Sequence, residues 1–156
     1  MKKIRIKTIM FLLMATTLTG VTFLSCNDDE KEERKEQTTN SSYLFNKWQL
    51  EAFVNNDSGI KTPSENNNNV YWIKINDDYS FEGKAYSNEI KGNILLDTVA
   101  YELIFTDIIG TEITELFDGQ LFVECLYNVN KYELTKNTLK LFYNDNKSYL
   151  IFKKGN

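Results

Sequence analysis

The chain has 156 residues, with 18 Lys and Arg against 22 Asp and Glu, a formal net charge of −4 and no histidine. The acidic balance opposes nucleic acid, whose phosphates need clustered Lys and Arg. The missing histidine removes the usual general base near neutral pH, a common zinc ligand and most nucleophilic triads, leaving carboxylate-only catalysis open. At the start of the chain, Lys2, Lys3, Arg5 and Lys7 precede an apolar stretch from Ile9 to Leu24 that runs into Phe23-Leu24-Ser25-Cys26. This is the layout of a bacterial export signal closing on a lipobox-like cysteine. Thr16, Thr17, Thr19, Gly20 and Thr22 dilute the stretch below the roughly 20 strongly apolar residues of a membrane span. We therefore expect residues 1–25 to be a cleaved signal peptide and Cys26 to carry a lipid that attaches the protein to a membrane.

The remaining 131 residues hold 14 basic and 22 acidic side chains, a net charge of −8. A chain of that length makes one domain around one core. Residues 26–42 read as a flexible acidic tether, because Asn27 to Ser42 includes no apolar residue to offset the entropy of ordering. Asp28, Asp29, Glu30, Glu32 and Glu33 directly after the cysteine resemble the signal that sends lipoproteins to the outer leaflet of the outer membrane in one phylum of Gram-negative bacteria. The expected location is thus the outer membrane, facing the cell surface, with the periplasmic face as the alternative.

The domain begins at residue 43. Trp48, Leu50, Ala52 and Val54 alternate as in a half-buried strand. Residues 55–69, with Pro63 and the run Asn66 to Asn69, favour a long loop over a ladder. Tyr71, Ile73 and Ile75, the turn Asn76-Asp77-Asp78, then Tyr79, Phe81 and Ala85 read as a hairpin over 70–86. The paired aspartates suit a turn without any metal, since adjacent strand side chains face opposite ways. Ile90 to Leu96 and Tyr101 to Phe105 give further strands. Between Thr114 and Val129 the period changes: Phe122, Cys125, Leu126 and Val129 fall at helical spacing, extended by Phe117 and Leu121. Thr114 is the expected cap, with Glu115 and Asp118 near the positive helix end. Cys125 on that stripe reads as a small buried hydrophobe. Tyr132 to Leu134, then Leu139, Leu141 and Tyr143, the turn Asn144-Asp145-Asn146-Lys147 and Tyr149, Ile151 and Phe152 complete a terminal hairpin. These parts predict a mainly β fold, a small antiparallel barrel of about eight strands with one α-helix before the last strands, covering one opening.

This order of parts resembles the META/HslJ family, small β-barrel domains of bacterial envelope lipoproteins. The matching residues are Trp48-x-Leu50, Phe81-x-Gly83 with Asn88 and Gly92, Thr111, and Leu126-x-x-Val129-x-x-Tyr132 leading to Asn137-x-Leu139-x-Leu141, over roughly residues 43–153 of an expected domain of residues 43–156. Family members often carry a cysteine before the middle Asn and another after the Thr. Here Ser87 and Glu115 stand near those places, so that disulfide is missing. A lipocalin-like domain shares the opening Trp and the final hairpin. The META-like resemblance implies an envelope module without a defined active site, with no cofactor and no catalytic or metal-binding residues.

Three functions follow from these readings. The first is a non-catalytic envelope lipoprotein with a binding or envelope-supporting role, its ligand or protein partner unknown. The second is a lipocalin-like carrier of a small apolar or glycan ligand, to which the aromatic residues, 13% of the chain, would contribute. Most of these aromatics fall on faces predicted to be buried, with Trp72 and Tyr79 as the exceptions. The third is a glycan hydrolase using carboxylates among Glu82, Glu89, Asp97, Glu102 and Asp107.

Overall fold

The computed structural model describes residues 41–155. The expected signal segment, Cys26 and the acidic cluster behind it lie outside the described residues. The first described element is a 3₁₀ turn at Ser41–Tyr43, two residues ahead of the expected domain boundary. The turn is fixed by the Leu44 N–H donating to the Ser41 carbonyl at 2.9 Å, and by the Trp48 indole N–H donating to the Leu44 carbonyl at 2.8 Å.

Nine strands follow: β1 Lys47–Asn55, β2 Gly59–Lys61, β3 Trp72–Ile75, β4 Ser80–Lys84, β5 Glu89–Asp97, β6 Glu102–Gly110, β7 Lys131–Leu134, β8 Thr138–Tyr143 and β9 Ser148–Lys154. One helix, α1 at Gly119–Tyr127, separates β6 from β7. From β3 to β9 each strand pairs antiparallel with the next, β3 also pairs with β1, and β9 returns to β1. Eight strands therefore close a ring, as the alternating pattern predicted, and closure leaves few open edges to recruit a foreign strand.

The ninth strand is a correction. β2 lies inside the segment expected to be a loop and pairs with the far half of β1, Phe53 opposite Lys61 and Asn55 opposite Gly59. β3 takes the near half of β1, Trp48 opposite Ile73. The chain between them is fastened by Gln49, whose Nε2 donates to the Val70 carbonyl at 2.7 Å and lies 3.2 Å from both Asn66 Oδ1 and the Asn67 carbonyl. Asn66 Nδ2 donates to the Leu50 carbonyl at 2.9 Å. The Asn run is thus tied to the sheet.

A bulge in β1 changes the expected phase. The register against β9 shifts between Leu50 and Ala52, so Leu50 lies opposite Phe152 and Phe53 opposite Leu150. Beyond the bulge Phe53, and not Ala52 or Val54, belongs to the central cluster. The same cluster joins Trp48, Leu50, Ile73, Phe81, Phe105, Phe122, Leu141 and Phe152. Phe81 meets Phe105 edge to face at 4.8 Å. Gly92 permits this packing, because a Cβ there would come within 2.8 Å of the Phe81 ring and 2.6 Å of the Thr106 carbonyl oxygen.

The helix covers the ring through Phe122, Cys125 and Leu126, all buried, with the Phe122 ring 6.0 Å from Tyr71 and 6.2 Å from Phe152. Its start differs from expectation. It begins at Gly119, Thr114 lies in the preceding loop, and Phe117 and Leu121 are exposed, 58% and 36%. The cause is long-range: residues 111–118 are held by groups outside the helix. Asn88 Oδ1 accepts from the Thr111 hydroxyl at 2.8 Å and the Ile113 N–H at 3.0 Å. Glu115 turns away from the helix and accepts from the Ser87 N–H at 2.8 Å and from the Asn88 side-chain amide at 2.7 Å. Asp118 reaches Lys61 and the Ser64 N–H.

Candidate functional site

The interior is built from packed aromatic and aliphatic side chains, and the concave sites described here lie outside the ring. Alternation along β3, β4, β5 and β6 aims Trp72, Lys74, Glu82, Glu89, Lys91 and Ile109 outward, while Ile73, Phe81, Ile90 and Ile108 are buried. Of the outward set, Trp72, Glu82, Glu89, Lys91 and Ile109 line a groove of about 480 Å³ that extends to Thr111. A second concavity of about 460 Å³ continues it past Glu82, Lys91 and Ile109 to Asn93 and Asp107. At this place the β5–β6 register shifts between Lys91 and Asn93, and Asp107 adopts a left-handed φ of 53°. The bulge bends the paired strands and re-aims the side chains on the groove wall.

On the other side of Trp72, Lys47, Gln49, Asn68, Lys153 and Lys154 surround a hollow of about 320 Å³. Lys47 Nζ stands 4.5 Å from the centre of the Trp72 ring, joining the two concavities through a cation–π contact. Charge on the outer face is partly paired. Lys74 lies 3.0 Å from Glu82, and Lys153 lies 3.8 Å from Glu51. Lys84 donates to the Ser87 carbonyl at 2.8 Å.

The structure brings Glu82 and Glu89 to one groove and Asp107 to its extension. Asp97 is elsewhere: it accepts the N–H groups of Val99 and Ala100 in the β5–β6 turn, and these bonds hold its carboxyl below the usual carboxylate range. Glu102 lies opposite Asp97 across that hairpin. Asp78 accepts from the Ser80 hydroxyl at 2.6 Å and from its N–H, which likewise lowers its pKa, so this carboxylate organises the turn. Among the described residues no three Cys, Asp or Glu side chains converge as metal ligands.

Trp72 and Tyr79 are the aromatic exceptions the sequence suggested. Trp72 is only half-buried at the groove, and Tyr79 is exposed in the β3–β4 turn with φ 65° and its ring edge-on to Phe45. Cys125 is a buried free thiol whose pKa is raised by burial, against the lowering effect of its hydrogen bond with Tyr143. The carboxylate of Asp118 is pushed up by burial, but hydrogen bonds from Lys61 and Ser64 outweigh this and leave it below the usual range. Sequence reasoning missed both this contact and the Asn88–Glu115 knot. Their partners are 27 to 57 residues apart, beyond any local pattern.

The chain matches no protein-family profile, and no curated protein matches it. Solved structures do share its fold. An NMR structure of a protein from Burkholderia xenovorans is similar with a TM-score of 0.60 at 16% identity, over 76% of this chain and 88% of that one. A crystal structure of a DUF4847 family protein from Bacteroides vulgatus is similar with a TM-score of 0.55 at 17% identity, over 71% of this chain and 93% of that one.

Proposed function

We propose that this protein is a non-catalytic lipoprotein of the bacterial outer membrane, held by a lipid on Cys26, whose META-like ring serves as a binding module on the cell surface. The observation that carries the reading is the basic, apolar and Ser25-Cys26 sequence placed ahead of a charged spacer and a ring that is complete without it. Because Trp48, Phe81, Phe105, Phe122 and Phe152 occupy the ring interior, the outer groove beside Trp72 is the place for a ligand. This favours an exterior binding module over a lipocalin-like carrier that holds cargo inside.

Acyl chains contribute about 0.8 kcal/mol per buried CH₂, and stable attachment takes more than one chain. Cys26→Ala should therefore release the protein from the membrane fraction. Cells fed a fatty acid analogue should label the wild type and leave Cys26→Ala unlabelled. Equal label in the two would refute the anchor.

A further inference from the structure

We propose that the outer face around Trp72 and Lys47 is a binding site for an acidic saccharide, with the sugar in the groove against Trp72 and a carboxylate of the chain in the adjoining lysine hollow. This deepens the binding role proposed above, and it does not depend on the lipid at Cys26. Three observations carry it. The ring's two tryptophans have opposite fates: Trp48 is fully buried with its indole N–H spent on Leu44, whereas Trp72 faces outward and borders a groove. An apolar ring at a polar groove is what a sugar's C–H face packs against, while Glu82, Glu89, Lys91 and Thr111 around it offer partners for hydroxyl groups.

The second observation is charge. Residues 26–156 carry a net charge of −8, yet the hollow beside Trp72 brings together Lys47, Lys153 and Lys154 with no carboxylate among the described residues that line it. Of the three, only Lys153 has an ion-pair partner among the described residues, Glu51 at 3.8 Å. The third is continuity. Lys47 lies over the Trp72 ring, so cation and stacking surface form one wall with a concavity on each side. A neutral sugar would use the Trp72 side alone. A uronic acid chain uses both, and the negative remainder of the surface repels anions that approach elsewhere.

The test uses the full-length protein purified in detergent, with tetragalacturonate as the acidic probe, cellotetraose as the neutral one and sodium sulfate as a bare anion. Because Trp48 is buried, acrylamide quenching of tryptophan emission reports Trp72. Tetragalacturonate should protect Trp72 from quenching and bind at least about fivefold more tightly than cellotetraose, a preference that shrinks as salt rises. Trp72→Ala, read by calorimetry, should weaken binding about fivefold or more, as loss of a central anchor does. Lys47→Glu with Lys154→Glu should remove the acidic preference while leaving Trp72 as reporter, and Lys131→Ala, exposed on β7 two strands away from β9, should change nothing. Urea melts establish that each variant is folded.

Absence of protection by tetragalacturonate, equal binding of both tetrasaccharides, equal affinity for sulfate, or binding indifferent to Trp72→Ala would each overturn the site. None of these results bears on fatty acid labelling of Cys26, so failure here and failure of the anchor are separate outcomes.

Discussion

Replacing Leu126 with alanine tests whether α1 is part of the core. The Leu126 side chain is fully buried within the cluster that includes Phe122 and Phe152. The substitution removes three carbons, worth about 2.4 kcal/mol of transfer free energy at about 0.8 kcal/mol each. A residual cavity adds to this, so Leu126→Ala should cost about 3 to 4 kcal/mol, within the 2 to 5 kcal/mol usual for such changes. Glu124, two residues away on the same helix, makes Glu124→Ala the matched control. Glu124 is exposed, and its carboxylate accepts from Gln120 Nε2 at 2.8 Å, a pair of the i, i+4 type. Its removal should change stability by less than about 0.5 kcal/mol. In urea melts with equal slopes, Leu126→Ala should lower the midpoint by roughly 1 to 2 M while Glu124→Ala leaves it in place. Equal midpoints for the two variants would refute the packing of α1 as a cover for the ring.

Glu115→Ala should destabilise by about 1.5 to 3 kcal/mol, because it leaves the Ser87 and Asn88 N–H donors without their charged acceptor; loss of amide exchange protection at those two residues checks it. Asp118 is held below its ordinary pKa in the folded protein, so its contribution to stability is present above the unfolded carboxylate value near pH 4 and is lost as pH falls through the lower folded value. Asp118→Asn should therefore be less stable than wild type at neutral pH and show a shallower loss of stability on acidification below about pH 4, measured by urea midpoints across pH. Changing Asp28, Asp29, Glu30, Glu32 and Glu33 to Ala should leave fatty acid labelling intact but protect the protein from protease added to intact cells. Equal cleavage in both forms would reduce the acidic run to a spacer.

The hairpins were legible because their chemistry is local. Asn144, Asp145 and Asn146 all take left-handed φ values between β8 and β9, which the short polar side chains of Asn and Asp tolerate best. The helix stripe was legible from Phe122 onward for the same reason. Its first turn was not, since Glu115 and Asp118 suit a helix start by type but are bound by Ser87, Asn88, Lys61 and Ser64 far away in the chain. The phase of β1 was legible in part: Trp48, Leu50, Ala52 and Val54 are all buried as expected, but the bulge at Glu51 brings Phe53 into the central cluster, which alternation does not show. β2 was hidden by its Gly- and Asn-rich surroundings, as its pairing is supplied by β1 rather than by its own three residues. Of the groove, the sequence showed the outward phase of Trp72 and offered Glu82, Glu89 and Asp107 as candidate carboxylates, but not that they come together. Its walls come from four strands, and its lysine hollow joins Lys47 to residues more than a hundred positions away.

The ring closes by pairing its first strand with its last, Trp48 opposite Lys154 and Asn55 opposite Ser148. Synthesis delivers β1 long before β9, so one whole edge of β1 must wait for Ser148–Lys154. Until then Leu50 and Phe53 lack the partners Phe152 and Leu150 that lie opposite them in the finished sheet. Long-range closure of this kind slows folding and prolongs the life of sticky, half-built forms. A nascent chain stopped a few residues short, at Leu150, would keep β1 open along the half that meets Ile151 to Lys154. Completion of the fold is in this way coupled to arrival of β9, which makes Ser148–Lys154 a checkpoint on whether the domain is whole.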